Sequence, residues 1–204
     1  MKLNEFRKGP HLSASSIGTY MDCSLYYKFS RVDKIPMDRI PAAMELGSCI
    51  HEVLAEFNQE RLQWYMMTME EMQELFEQNW TRRVESNPLI EFKEDKDFSI
   101  LMKDGKNLIK VFRENFGNAN REVIAIEEPF TLTIEGLPIP IVGVMDLLEE
   151  DESGDIIITD YKTTGKSYSG REIDRNFQLT IYYMSARANG YADRKIRLKI
   201  DNLI

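Results

Sequence analysis

Residues 155–162, Asp-Ile-Ile-Ile-Thr-Asp-Tyr-Lys, limit the folds open to this chain more than any other segment. The run is rich in β-branched residues and is apolar at consecutive positions instead of alternate ones. A strand of this kind buries both of its faces, so it lies at the centre of a sheet that is covered by other layers. The run therefore predicts an α/β protein with a central sheet.

Other strands are predicted on both sides of this run, because β-rich stretches are separated by turn-forming residues. The sequences EGLP and DESGD provide the turns of a three-strand meander. A helix that ends at Gly190 then leads to a final strand. The predicted strands are 122–134, 139–149, 155–162 and 195–201, and the helix between the last two spans about 172–189.

Helices dominate the part of the chain that precedes the sheet. Ser13 caps a first helix, and residues 43–62 carry apolar residues at helical spacing. A helical section over about 63–120 follows, with helices predicted at 64–80 and at about 97–115. The core order is therefore αβββαβ, a mixed α/β class in which helices flank a central mixed sheet. We expect a single domain over residues 1–204, with its sheet core at about 122–201.

Charge and composition restrict the partners of this chain. It has 204 residues and a formal net charge of −8, from 26 basic and 34 acidic residues. The acidic runs at 91–97 and 149–155 are typical of solvated loops. The last third of the chain is locally basic, with Arg171, Arg175, Arg187, Arg194, Lys195, Arg197 and Lys199. A DNA-binding surface would then be confined to part of the molecule or completed by a cation. No apolar run has the length of a membrane span or signal segment, so we expect a cytoplasmic protein.

Two aspartates are placed side by side by the turn at DESGD. If the hairpin is centred near Ser153, Asp146 and Asp160 form a direct cross-strand pair. Two like charges on a buried sheet repel each other, and a divalent cation such as Mg²⁺ removes that cost. Lys162, two residues after Asp160, projects from the same face of the strand. An isolated D-x-K sequence is, however, most often a solvated strand end with an ion pair.

Two helical pairs add to this constellation. Gly47 and His51 lie four residues apart on one helical face, and a glycine there predicts close approach of the helix to the sheet. His51 could then reach a metal as a neutral imidazole. Gln178 and Tyr182 share a face of the next core helix and could hydrogen-bond to phosphate or water. Each pair alone is common in proteins of any function.

Taken in order, GSCIH, GVMDLLEED, ITDYKTT and QLTIYYMSA resemble the motifs of the RecB-type branch of the PD-(D/E)XK nuclease superfamily. The resemblance runs from about Ser13 to Tyr182. It implies the restriction-endonuclease-like αβββαβ core, in agreement with the predicted order of elements. The series of four motifs is specific, whereas D-x-K alone is not.

The resemblance also implies the roles of individual residues. His51, Asp146 and Asp160 would coordinate Mg²⁺ or Mn²⁺ together with the carbonyl group of Tyr161. Lys162 would be the catalytic lysine, and Gln178 and Tyr182 would assist at the substrate. The reaction would be hydrolysis of DNA phosphodiester bonds, by an exonuclease in DNA repair, recombination or phage and defence DNA processing. Such nucleases often work beside a helicase or a recombinase.

Cysteine content separates this chain from one branch of the family. That branch holds an iron–sulfur cluster with one cysteine after the first helix and three beyond the Q-x-x-x-Y helix. Cys23 resembles the first position, but no cysteine follows Cys49, so four ligands cannot be assembled here. Either the chain belongs to a cluster-free branch or its C-terminus is truncated, as the apolar ending DNLI also suggests. Cys49 itself is expected to be a small buried residue.

Other functions remain open at this point. The chain could be a DNA-binding or interaction module that kept the fold and lost catalysis, although a lapsed nuclease should have lost some motif residues. It could also hydrolyse another phosphate ester. Tyr26, Tyr27 and Tyr168 could stack on unpaired bases, although such tyrosines are more often core or surface residues. Exonuclease or endonuclease activity, strand preference and oligomeric state are not determined by these patterns.

Overall fold

A computed structural model describes residues 8–117, 121–163, 170–174 and 176–203. Within these residues most helices precede the four-stranded sheet and the others lie between its last two strands, as the sequence predicts. None of the helices in the described ranges has the length and apolar character needed to cross a lipid bilayer. The α-helices are α1 Ala14–Asp22, α2 Ser24–Tyr27, α3 Ala42–Leu62, α4 Met69–Ser86, α5 Phe98–Asn115, α6 Gly170–Asp174 and α7 Phe177–Ala186. Short π-helical segments, Lys28–Val32 and Arg187–Tyr191, follow α2 and α7.

The strands are β1 Ile40–Pro41, β2 Ile90–Glu91, β3 Glu122–Leu132, β4 Ile141–Glu150, β5 Ile156–Lys162 and β6 Ile196–Asn202. Four of them form the central sheet, in the order β3-β4-β5-β6. β3 and β4 are antiparallel, as are β4 and β5, and the crossover through α7 makes β6 parallel to β5. A two-stranded parallel pair, β1 with β2, lies outside this sheet. The predicted mixed α/β class with an αβββαβ core is confirmed.

Helices cover both faces of β5, which explains its continuous apolar sequence. On one face, Tyr161 joins a buried cluster with residues of α3, α4 and α5, among them Phe57, Phe76 and Phe112. On the other face, Ile158 packs in a second cluster with residues of α7. Because alternate side chains of a strand point to opposite faces, Asp160 shares the α7 face with Ile158.

Two predicted helices were wrong at their boundaries. The helix expected at 64–80 begins only at Met69, because Trp64 has a positive φ of 61° and Thr68 forms a capping box with Glu71. The helix expected at about 172–189 is divided, since Asn176 caps a new helix by accepting the backbone N–H of Leu179. At both boundaries a capping side chain, Thr68 or Asn176, therefore determined where the helix begins, although the apolar pattern continues on the other side of it.

The prediction that the acidic run at 149–155 is a solvated loop holds only for its middle, where Glu152 and Ser153 are exposed in a turn, and is wrong at both ends. Glu149 is 2% exposed in β4 and binds Arg61 of α3 and Arg121 before β3. Asp155 is buried, and its carboxylate accepts a hydrogen bond from the Arg197 guanidinium. The basic residues of the last third are largely engaged in such ion pairs within the chain: Arg194 with Glu150, Lys195 with Asp155, Arg197 with Asp151 and Asp155, and Lys199 with Asp201.

Candidate active site

The candidate site lies where β4 and β5 stop pairing. Leu147 pairs with Thr159 and Leu148 with Ile158, so one more step of the register places Asp146 opposite Asp160. The register is thus the predicted one. At this point Asp146 Oδ2 accepts the backbone N–H of Tyr161 at 2.9 Å. The carboxylate of Asp146 is therefore held against the strand that carries Asp160.

Asp160, Lys162, Gln178 and Tyr182 form a ring of polar contacts between β5 and α7. The Lys162 ammonium lies 2.7 Å from Asp160 Oδ2 and donates to Gln178 Oε1 at 3.0 Å. The Gln178 amide donates to the Tyr182 hydroxyl at 2.7 Å, and this hydroxyl donates to Asp160 Oδ1 at 3.4 Å. The alternation of β5 and the four-residue spacing on α7 thus converge on one cluster.

A second group of potential ligands adjoins the ring through Asp146. His51 Nδ1 of α3 lies 3.6 Å from Asp146 Oδ2. His51, Asp146 and Glu127 of β3 each offer a ligand atom, and these atoms lie within 4.8 Å of one another. Two carboxylates and an imidazole suit a divalent cation such as Mn²⁺, and the carboxylates also suit Mg²⁺.

Burial and like charges shift the pKa values of both carboxylates in this group upward. Loss of hydration raises the pKa of Asp146, and Asp160 adds to this effect, while His51, the Tyr161 amide and Lys162 oppose it. Partial desolvation and the charge of Asp146 raise the pKa of Glu127, although that residue is largely exposed. The two acids therefore favour a bound proton or cation more than ordinary carboxylates do.

The Tyr182 hydroxyl, which is protonated at neutral pH in any tyrosine, keeps its proton to higher pH for a similar reason. Burial raises the pKa of its hydroxyl well above the ordinary value, and the charges of Asp160 and Asp146 act in the same direction. The hydroxyl is therefore available as a hydrogen-bond donor.

The backbone between Asp160 and Lys162 is fixed by packing on the α3 side. Tyr161 is buried, its hydroxyl accepts a bond from Asn58 at 3.1 Å, and its ring packs edge-to-face on Phe112. Gly47 allows α3 to come close, because a Cβ atom there would lie 3.0 Å from Thr163 Oγ1. The predicted close approach at Gly47 is therefore observed, at the residue that follows Lys162.

A cavity of about 1200 Å³ opens beside the ring. Residues of the α1 region, including Ser13 and Asp22, form one wall, and Asp146, Gln178 and Tyr182 form part of another. Its volume exceeds the roughly 300–1,000 Å³ of typical small-molecule pockets. The space is sufficient for part of a polymer.

The structure brings together most of the side chains singled out from the sequence. His51 lies beside Asp146, and Lys162, Gln178 and Tyr182 surround Asp160. The Tyr161 amide contacts Asp146, whereas binding of a metal by the Tyr161 carbonyl stays a prediction. Of the tyrosines considered for base stacking, Tyr26 is 54% exposed and Tyr27 packs on Tyr20, while Tyr168 lies outside the described residues.

Sequence reasoning missed Glu127. β3 pairs Ile126 with Leu147 and Glu128 with Met145, which places Glu127 opposite Asp146. The turn that joins these strands is centred on Gly136 and Leu137, so counting from EGLP would have found this position. Glu127 has a φ of 49°, an unusual value for a residue other than glycine.

Comparison with known proteins agrees with this geometry. The family model of the PD-(D/E)XK nuclease superfamily matches residues 11–202, which include α3, the four-stranded sheet and α7. A comparison with curated proteins found no match to the chain. Because the family match covers nearly the whole sequence and the fold has the corresponding αβββαβ order, the chain belongs to the PD-(D/E)XK nuclease superfamily.

Proposed function

We propose that this protein is a deoxyribonuclease that uses Mg²⁺ or Mn²⁺, and that it is an exonuclease of the RecB type. The single observation that carries the proposal is the ring of Asp160, Lys162, Gln178 and Tyr182 beside Asp146. Nucleases of this superfamily use divalent metals, and the donor set of His51 and the nearby carboxylates fits such an ion. DNA repair, recombination or the processing of phage and defence DNA would be the setting, beside a helicase or recombinase.

The side chains divide the work of phosphodiester hydrolysis among them. The bound cation would supply positive charge at the phosphate and favour ionisation of water. Asp146, Asp160 and His51, with the carbonyl of Tyr161, would hold that cation. Lys162, which Asp160 and Gln178 already position, would orient the attacking water or stabilise negative charge on the phosphate oxygens.

The N-terminal helices support a substrate with unpaired bases. Tyr20 and Tyr26 are 58% and 54% exposed on α1 and α2, next to the cavity with Asp146, although neither ring lines it and other residues of α1 form its wall. Exposed aromatic rings can stack on bases without reading their sequence. A DNA end or single strand in this cavity would bring a phosphate to the ring, which is the arrangement that an exonuclease needs.

The experiment is a DNA degradation assay with Mg²⁺ or Mn²⁺. We expect Asp146→Ala, Asp160→Ala and Lys162→Ala to abolish cleavage, with a loss of at least about a hundredfold for Lys162. Lys110→Ala is a matched control, because Lys110 is exposed and only pairs with Glu114 on the same helix. Circular dichroism of each variant would verify folding, and Lys162→Met serves where the alanine variant is unstable.

The outcomes separate the possible functions. Wild-type activity in a folded variant of any of the three residues would contradict the site assignment. Binding of DNA without metal-dependent cleavage by the wild type would instead indicate a module that has lost catalysis. Linear, circular, single-stranded and RNA substrates in the same assay would distinguish exonuclease from endonuclease activity and DNA from RNA preference.

A further inference from the structure

Glu127 extends the cluster of potential ligands to a third strand. Its carboxylate, the His51 imidazole and the Asp146 carboxylate offer ligand atoms within 4.8 Å of one another. Ligands of one Mg²⁺ ion lie about 2 Å from it, so they are about 3–4 Å apart from one another. The three side chains therefore need only a small adjustment to bind one ion.

Asp160 has a different environment from these three residues. It does not belong to the group of mutually close ligand atoms, and its two oxygens face Lys162 at 2.7 Å and Tyr182 at 3.4 Å. Asp146 lies between the two sets, because it contacts His51 and also accepts the amide of Tyr161. A cation that contacts Asp146 from the α3 side would therefore meet Glu127 on the neighbouring strand.

The position of Glu127 also has an electrostatic cost without a cation. The register of β3 and β4 places it opposite Asp146, and like charges in opposed positions of neighbouring strands are destabilising. Much of the residue is exposed to solvent, so its side chain does not contribute to the buried core. A cation bound between Glu127 and Asp146 would remove the repulsion between the two carboxylates.

We propose that Glu127 is a ligand of the divalent cation at the nuclease site, together with His51 and Asp146. This inference rests on the proposed metal-dependent function and adds a ligand that the D-x-K motif does not contain. The cation would then lie between the group of Glu127, His51 and Asp146 and the ring around Asp160, so Asp160 keeps the ligand role proposed above.

The test is isothermal titration calorimetry of the full chain with Mn²⁺. Glu127→Gln should weaken Mn²⁺ binding by about tenfold or more, as the loss of groups at metal sites commonly does. Glu128→Gln is the matched control, because it removes the same charge one residue further along β3, outside the ligand group. Its affinity should stay within about twofold of wild type.

Thermal unfolding supplies a readout that a purely structural role would not give. Without metal, Glu127→Gln should melt at the wild-type temperature or higher, because a repulsion is removed. At a Mn²⁺ concentration that saturates the wild type, added Mn²⁺ should raise the melting temperature of the variant less than that of the wild type. Glu127→Gly provides a second variant that removes the carboxylate and accepts the φ of 49°.

Two results would overturn the inference, and they differ in what they say of the nuclease. If both Glu127 variants bind Mn²⁺ like wild type while the wild type degrades DNA, Glu127 is not a ligand and the proposed function stands. If the wild type neither binds Mn²⁺ nor degrades DNA, the ligand role and the metal-dependent function fail together.

Discussion

Asp160 is only 2% exposed, and the cost of burying its carboxylate explains the arrangement around it. An ion removed from water costs several kcal/mol unless an opposite charge or hydrogen bonds compensate it. Lys162 supplies the opposite charge at 2.7 Å, and Tyr182 supplies a hydroxyl at 3.4 Å. The ring is thus in place before a substrate arrives, which reduces the reorganisation that catalysis requires.

The hydroxyl of Tyr182 provides a test of this view at a single atom. Tyr182→Phe removes the contact to Asp160 and the acceptor of the Gln178 amide but keeps the buried ring. We expect kcat for DNA cleavage to fall by about tenfold, the scale seen when a supporting hydrogen bond is lost, and stability to fall by about 1 kcal/mol.

Tyr183→Phe is the natural control for this change, because Tyr183 is the next residue of α7 and is 37% exposed. Its kcat and urea midpoint should match wild type. Equal kcat values for the two variants would show that the Tyr182 hydroxyl has no part in positioning the site.

Residues of the site differ in how far the sequence alone could predict them. Asp146 and Asp160 followed from counting back from the DESGD turn, since a two-residue period allows few registers. Lys162, Gln178 and Tyr182 followed from strand and helix spacing. The position of Glu127 opposite Asp146 was open to the same counting from EGLP, whereas its positive φ was not, because no local sequence pattern announces it.

At the scale of elements, a buried charge network fixes α3 against the sheet. Arg61 near the end of α3 donates to Glu149 of β4 and to Asn58, and Asn58 in turn donates to the Tyr161 hydroxyl. Arg121 reaches the other oxygen of Glu149 at 3.2 Å. The helix that carries His51 is thereby connected to the strand that carries Asp160.

Loss of one charge in this network should destabilise the whole fold. Glu149→Gln leaves two arginines without their carboxylate at a position that is 2% exposed, so the free energy of unfolding should fall by about 3 kcal/mol. Urea denaturation measures this change. Glu114→Gln, which alters an exposed pair with Lys110, should change the free energy of unfolding by less than about 0.5 kcal/mol. An equally small effect of Glu149→Gln would mean that the network contributes little to stability.

The elements themselves were predictable to different degrees. The four strands of the sheet and their order followed from β-rich runs and turns, because the apolar sequence of β5 left it only a central position. Helix boundaries at Met69 and Phe177 were missed, since a single capping side chain outweighed the apolar pattern around it. The short β1–β2 pair was also not expected, because it joins Ile40 and Ile90 across the helices.

For the whole molecule, the distribution of charge matters more than its total. The net charge is −8, and many basic residues of the C-terminal third are engaged by acidic neighbours, as Arg197 is by Asp155. We therefore expect weak long-range attraction of DNA, and a cation bound among the carboxylates would supply positive charge where the phosphate would lie.

DNA binding should consequently depend on a divalent cation. Fluorescence anisotropy with a labelled single-stranded oligonucleotide should show affinity at least about tenfold higher in Ca²⁺ than in EDTA, since Ca²⁺ also takes carboxylate ligands. Asp146→Asn should lose this difference. If the wild type bound the oligonucleotide equally well in Ca²⁺ and in EDTA, DNA binding would not depend on a cation at this site, and other surface residues would provide the affinity.

Gly47 has a consequence for how this sequence can vary over time. Alanine is the best helix former and would favour α3 by about 1 kcal/mol over glycine. Its methyl group would nevertheless crowd Thr163, at 3.0 Å from the hydroxyl oxygen, immediately beyond the lysine of the ring. A substitution that benefits the helix would thus require the Thr163 side chain to shift beside Lys162, so helix propensity and packing against the sheet act in opposite directions at this position.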